Sequence, residues 1–256
     1  SRHPYPQESE RLISLPFRCR LHLIPLVTLL LCAFSPGLEG ATVLVSGSSL
    51  VRTVAITFDD GPHDILTPTL LDVLDTLGVK ASFFLVGSMA EKKPDLVREI
   101  RSGGHTVANH SQTHRSCLVL SAEELEDEIR KCSAVLESIT SVPVRFFRPP
   151  GGKFDRKTVE RVRKNGLKMV LWDINSRDYT GVSPSYIANR AVRRAVPGSI
   201  LLFHSGVKAT IDALPEIVAR LRKNGFEFVT LDEMFSAYTA SDPFLLRAAE
   251  GLFHTM

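Results

Sequence analysis

The sequence predicts an α/β fold in which parallel strands are covered by helices. Three observations predict it. From about Thr53 onward, short β-branched apolar runs alternate with amphipathic stretches of helical period. Runs such as Ile200-Leu-Leu-Phe203 are apolar without a break, as a strand buried on both faces requires. The reactive side chains follow the carboxyl ends of these runs, where parallel α/β architectures assemble their sites.

In chain order, residues 54–58 read as the first strand and 68–77 as a helix stopped by Gly78. A second strand covers 81–86, followed by a helix over 94–102 that ends at the Gly103-Gly104 break. Residues 105–108 form a short third strand. Ser121 and Glu124 make a capping box, each side chain able to satisfy the other residue's backbone N–H, and this opens a helix to about Ser138. The fourth strand is 144–147, then a helix over 155–165 ended by Gly166, then a fifth strand over 168–173. Ser183-Pro184 caps and starts the next helix, since the first turn leaves proline's missing N–H unused. A strand over 199–204, a helix over 210–224 closed by Gly225, a strand over 227–230 and a helix from Leu231 complete seven β–α units. An open doubly wound sheet and a closed barrel both satisfy this pattern. Periodicity does not choose between them.

The chain has 256 residues, 44% hydrophobic and 23% charged, enough for one large domain with its own core. A formal net charge of +3, without a Lys/Arg stripe interleaved with aromatics, excludes a nucleic-acid footprint. Cys19 and Cys32 lie near the N-terminus, and Cys117 and Cys132 in the body, with no C-x-x-C spacing. A Cys117–Cys132 disulfide and two free thiols are both open.

Arg18 and Arg20 precede an apolar run over 21–34 that is too short to span a bilayer but suits the h-region of a signal peptide. Small residues at Ser35-Pro36-Gly37 follow it. Residues 1–50 are therefore read as an extension carrying a signal peptide or anchor, 51–240 as the domain with the reactive groups, and 241–256 as a tail. This implies a secreted or cell-surface protein whose membrane association runs only through the extension.

Asp59-Asp60 follows the first strand, and His110 and His114 the third. Arg148 ends the fourth, Asp173 and Asp178 follow the fifth, and His204 closes the sixth. The H-x-x-x-H spacing puts both imidazoles on one face of a helical turn, within reach of one cation. Asp60 is the natural third ligand, and two His with one carboxylate leave a coordination position for a catalytic role. That set suits Zn2+ and also other divalent metals, including iron. Asp59 reads either as a further ligand or as a general base oriented by Arg148. His204 reads either as a satisfied core residue or as a general acid, its tautomer held by Asp178 or Asp173.

At this point the motifs resemble the polysaccharide deacetylase family, the family 4 carbohydrate esterases. Five appear in order over about 54–234: Thr57-Phe-Asp-Asp-Gly-Pro62, His110-Ser-Gln-Thr-His114, Arg148-Pro-Pro-Gly-Gly152, Trp172-Asp-Ile-Asn-Ser-Arg-Asp-Tyr179 and Leu202-Phe-His204. The resemblance implies a distorted (β/α)7 barrel and a hydrolase using a divalent metal, with Zn2+ the expected ion. It implies Asp60, His110 and His114 as ligands, Asp59 as base tethered by Arg148, and His204 as acid assisted by Asp178. Gly151 would supply a backbone N–H to the oxyanion, and Leu202, Trp172 and Tyr179 would line the substrate pocket. The implied substrate is an N-acetylated polysaccharide, peptidoglycan or chitin-like. An O-acetyl esterase on a xylan-like glycan and a non-catalytic carbohydrate-binding protein are the alternatives. Two positions depart from the usual pattern: Gly151 stands where an aromatic is frequent, and Tyr179 where Trp is common.

Overall fold

In a computed structural model of the chain, residues 43–236 are described. The proposed signal or anchor, Cys19, Cys32 and the tail lie outside them. Among the described residues, no helix is long and apolar enough to cross a membrane.

Among the described residues, nine strands form one sheet, and every pairing between these strands is parallel. β2 (Thr53–Asp59), β3 (Ser82–Leu85), β4 (Thr106–Asn109), β5 (Phe146–Phe147), β6 (Lys168–Val170) and β8 (Ile200–His204) occupy the expected strand positions. β9 (Glu227–Phe228) pairs beside β2. With β1 (Val43–Leu44) and β7 (Ile174–Asn175), the order is β1-β6-β5-β4-β3-β2-β8-β7. The sheet curls into the distorted (β/α) barrel, and among the described residues no ladder joins β7 to β1.

Two strands differ from the sequence reading. The strand expected over 168–173 ends at Val170 as β6, and beyond Asp173 a separate strand, β7, pairs with β8 instead. The Asp173 carboxylate accepts hydrogen bonds from Ser199 Oγ and Ile200 N–H, both at 2.7 Å. β1 lies within the stretch assigned to the N-terminal extension, yet it pairs with β6. Its two residues are too few to show a period.

The helices are α1 (Leu66–Thr76), α2 (Gly87–Lys92), α3 (Pro94–Ser102), α4 (Ala122–Thr140), α5 (Arg156–Lys164), α6 (Pro184–Arg194), α7 (Lys208–Lys223) and α8 (Leu231–Ser236). The Ser121–Glu124 capping box forms as expected. Ser183 accepts the Tyr186 N–H and Pro184 opens α6.

Alternation along each strand separates two cores. Val54, Ile56, Phe58, Leu201 and Phe203 pack with helix residues such as Leu70, Ile129 and Leu214. Ala55, Phe84, Ala108, Phe146, Val170 and Ile200 form an inner cluster with Leu231, Met234 and Phe235 of α8. Side chains two residues apart share a face. The inner set therefore continues toward the carboxyl ends, in one step into His110, Arg148 and Trp172, and through Thr57 and Leu202 into Asp59 and His204. An apolar barrel floor thus carries a polar upper layer. Cys117 and Cys132 are both buried free thiols, so no disulfide joins them, and burial pushes each up to about 12.

Candidate metal and acid–base site

The upper layer is organised around Arg148, whose guanidinium is wholly buried. It donates to Asp59 Oδ1 at 2.6 Å, Thr57 Oγ1 at 2.9 Å, Val170 O at 3.1 Å and Leu171 O at 2.9 Å. The Phe84 ring lies beneath it, 3.9 Å from Cζ to centroid. Burying a guanidinium is costly unless its donors are met and its charge is paired. Here both conditions hold, and the fork points Asp59 toward the opening. Asp59 Oδ2 is left facing His110 Nε2 at 3.7 Å. Strand register places Asp59 opposite Phe84 on one side and His204 on the other.

Asp60 follows with φ 69°, and Gly61 with φ 78°. A Cβ at Gly61 would sit 2.6 Å from Ser205 Oγ, so glycine is required for this close turn. The turn brings Asp60 Oδ1 to 3.2 Å from His114 Nε2 and 3.7 Å from His110 Nε2.

The two histidines do not lie on a helical turn, contrary to the reading of their spacing. Residues 110–114 form an irregular loop, with Ser111 at φ 68° and His114 at φ 61°. The helix is pre-empted because the backbone groups bond elsewhere. Asn109 Oδ1 accepts the Ser111 N–H at 2.8 Å, and Ser111 Oγ accepts the His114 N–H at 3.0 Å. The Ser111 and Gln112 carbonyls accept from Gly87 and Ser88 at the start of α2. The rings nevertheless converge, with centroids 5.0 Å apart. His110 Nδ1 lies 2.8 Å from Arg148 O. A carbonyl can only accept, so Nδ1 carries the proton and Nε2 offers its lone pair.

Asp60, His110 and His114 each present one ligand atom, all within 4.8 Å of one another. Tetrahedral ligands about 2.1 Å from a cation stand roughly 3.4 Å apart, so these three fit a divalent ion. Three protein ligands leave a position for water or substrate. Asp59 falls outside this group and stays paired with Arg148. Burial would raise the Asp60 pKa, but its hydrogen bond with His114 and the charges of His110, His204 and His114 hold it lowered. Burial lowers His110. The hydrogen bond to Asp60 raises His114.

Across the opening, His204 Nδ1 lies 2.7 Å from Asp178 Oδ1. Asp178 Oδ2 accepts the His204 N–H at 2.8 Å and the Thr210 hydroxyl at 2.6 Å. Asp178 is thus the partner of His204, and Asp173 is engaged with Ser199 and Ile200. Burial works against a charged His204, but the hydrogen bond and charge of Asp178, with Asp59 and Asp60, outweigh it and raise its pKa. Asp178 is lowered by the same pairing, against its burial.

The expected pocket residues surround this centre unequally. The Tyr179 ring meets His204 edge-on at 5.2 Å and is 58% exposed. Leu202 is buried in β8, and Trp172 is half-buried, its ring 5.4 Å from Arg148 Cζ. A Cβ at Gly152 would lie 2.5 Å from Trp172 Cη2, so glycine permits that packing. Gly151 is exposed, and a Cβ there would meet nothing within 4 Å. Sequence reasoning missed Thr57, Ser111 and Thr210, which hold Arg148, His114 and Asp178. Thr57 and Ser111 lie inside the quoted motifs; nothing in the pattern signals Thr210.

A family model described as polysaccharide deacetylase matches residues 47–170. A peptidoglycan-N-acetylglucosamine deacetylase of Bacillus cereus is 36% identical over 194 residues, covering 74% of this chain and 70% of that protein. A chitooligosaccharide deacetylase of Bradyrhizobium is 31% identical, covering 74% of this chain and 92% of that one. The crystal structure of a peptidoglycan N-acetylglucosamine deacetylase, in complex with 4-naphthalen-1-yl-N-oxidanyl-benzamide, superposes with a TM-score of 0.74 at 34% identity. It covers 77% of this chain and 94% of its own.

Proposed function

Since this chain belongs to the polysaccharide deacetylase family of hydrolases, we propose that it removes N-acetyl groups from a peptidoglycan- or chitin-like polysaccharide. The observation that carries the reading is the convergence of Asp60, His110 and His114 between two charged pairs, Asp59–Arg148 and His204–Asp178. Asp60, His110 and His114 would hold a divalent cation, for which Zn2+ is the proposed ion, and when bound it would supply Lewis acidity to the amide carbonyl and to water.

The remaining chemistry is assigned to the chain's own groups. Asp59 is the base, removing a proton from the attacking water while Arg148 fixes its carboxylate by a charge-assisted hydrogen bond. The Gly151 N–H is the backbone donor assigned to the tetrahedral oxyanion. His204 is the acid: Nδ1–H on Asp178 leaves Nε2 to carry a proton to the departing nitrogen. The C–N bond breaks, one water is consumed, and acetate and a free amine leave. Trp172, Leu202 and Tyr179 are assigned to the pocket around the acetyl group and its sugar. A wall polymer as substrate fits the secreted or surface location expected from the N-terminal run.

The test is acetate release from chitin oligomers, peptidoglycan and acetylated xylan, with metal content measured on the same protein. Asp59→Asn should keep its metal and lose about 10^2–10^4-fold in turnover, the range for a general base. An Asp59→Asn variant of undiminished activity would remove the assignment of the base. Activity on acetylated xylan alone would replace the amide substrate by an ester.

A further inference from the structure

Glu128 is a buried carboxylate that the proposed mechanism does not use. It lies in the second turn of α4 at 8% exposure, and among the described residues no salt bridge pairs it. Both of its oxygens bind one residue: Oε2 accepts the Thr113 backbone N–H at 2.7 Å, and Oε1 accepts the Thr113 hydroxyl at 2.6 Å. Burying a carboxylate is expensive, and an apolar side chain would fill the same space more favourably. Thr113 stands between the two histidines and directly precedes His114.

The loop needs an external restraint. Ser111 and His114 both hold left-handed backbone conformations, which cost L-residues about 1–2 kcal/mol each. Asn109 at the end of β4, Ser111 and the start of α2 restrain the loop at Ser111, Gln112 and the His114 N–H. Glu128 reaches it from a separate, long helix that is itself anchored beneath β4. Asn109 Nδ2 donates to Ile129 O at 2.8 Å and to Ser133 Oγ at 2.9 Å.

The geometry points to Glu128 as a positioning residue for the cation site: through Thr113 it fixes the loop on which His110 and His114 converge with Asp60. It acts by orienting ligands, the part that groups behind a metal's direct ligands take elsewhere, where their loss typically costs about 10–100-fold in metal affinity. This rests on the metal site proposed above.

The experiment uses the metal-free protein titrated with Co2+ against a competing chelator, reading affinity and the Co2+ visible spectrum. Glu128→Ala should weaken Co2+ about 10–100-fold and alter the spectrum. Glu128→Gln keeps the shape and an acceptor for the Thr113 N–H, so it should stay close to the parent protein. Unchanged affinity and spectrum in folded Glu128→Ala would overturn the proposal, and so would a loss in Glu128→Gln as large as in Glu128→Ala, since charge rather than orientation would then be responsible. If Glu128→Ala does not fold, Thr113→Val decides, because residue 113 is exposed and that variant removes only the hydroxyl. A several-fold loss supports the role; an unchanged affinity refutes it. Failure of the parent protein to bind Co2+ would instead sink the metal site itself.

Discussion

The pairing of His204 with Asp178 sets the proton inventory of the site. A general acid works only while protonated, so its pKa marks the alkaline limit of activity. His204 is raised above an ordinary histidine, with Asp178 overcoming the opposing effect of burial. Asp178→Asn leaves a side chain of the same shape and removes the charge. The alkaline limb of kcat/KM should therefore move to lower pH, while Co2+ affinity holds. A limb that stays in place would detach Asp178 from the acid. At this scale much was legible in the sequence, and for a stated reason. The reactive residues follow the carboxyl ends of apolar runs, which a parallel sheet gathers on one face, so Asp59, Asp60, His110, His114, Arg148 and His204 could be grouped before any contact was known. The choice between Asp173 and Asp178 was not legible. Both follow the same apolar run, and only the break between β6 and β7 turns the first away.

At the scale of elements, the second motif shows where spacing misleads. Two histidines four apart fit a helical face, yet their loop is irregular because nearby side chains and the start of α2 take its backbone groups. α2 itself gives no signal: it opens on Gly87 without a side-chain cap and runs only six residues. The third motif permits a sharper prediction. Gly151 and Gly152 both hold positive φ, at 64° and 68°, but only Gly152 lies against Trp172. Gly151→Ala should cost about 1 kcal/mol, from backbone strain alone. Gly152→Ala carries the same strain and also displaces a half-buried indole, so about 2–4 kcal/mol is expected. Urea unfolding of the two variants compares them directly, and equal losses would mean that the indole yields freely. Gly152→Ala should also lower kcat/KM, because Trp172 borders the buried Arg148.

For the whole molecule, periodicity left barrel and open sheet undecided because closure depends on how strand ends meet, not on which faces are apolar. β1 beside β6 and the α8 side chains under the inner cluster supply what the pattern lacked. The proposed cation site would add a further tie between parts of this fold. Asp60 extends β2, while His110 and His114 follow β4, with β3 between them in the sheet. A cation that grips all three binds the folded chain and not the unfolded one, so it must stabilise the whole domain by mass action. At a free Zn2+ concentration of 100 times Kd the gain is about 2.7 kcal/mol. For a domain of this size that is roughly 5–10 °C in Tm, reversed by a chelator. Asp60→Ala should abolish the shift, since it removes a ligand, whereas His204→Ala should keep it while losing turnover. Thermal scans with and without Zn2+ decide the matter. An Asp60→Ala protein that still gains stability from the ion, or a His204→Ala protein that no longer does, would place the cation somewhere other than between β2 and β4.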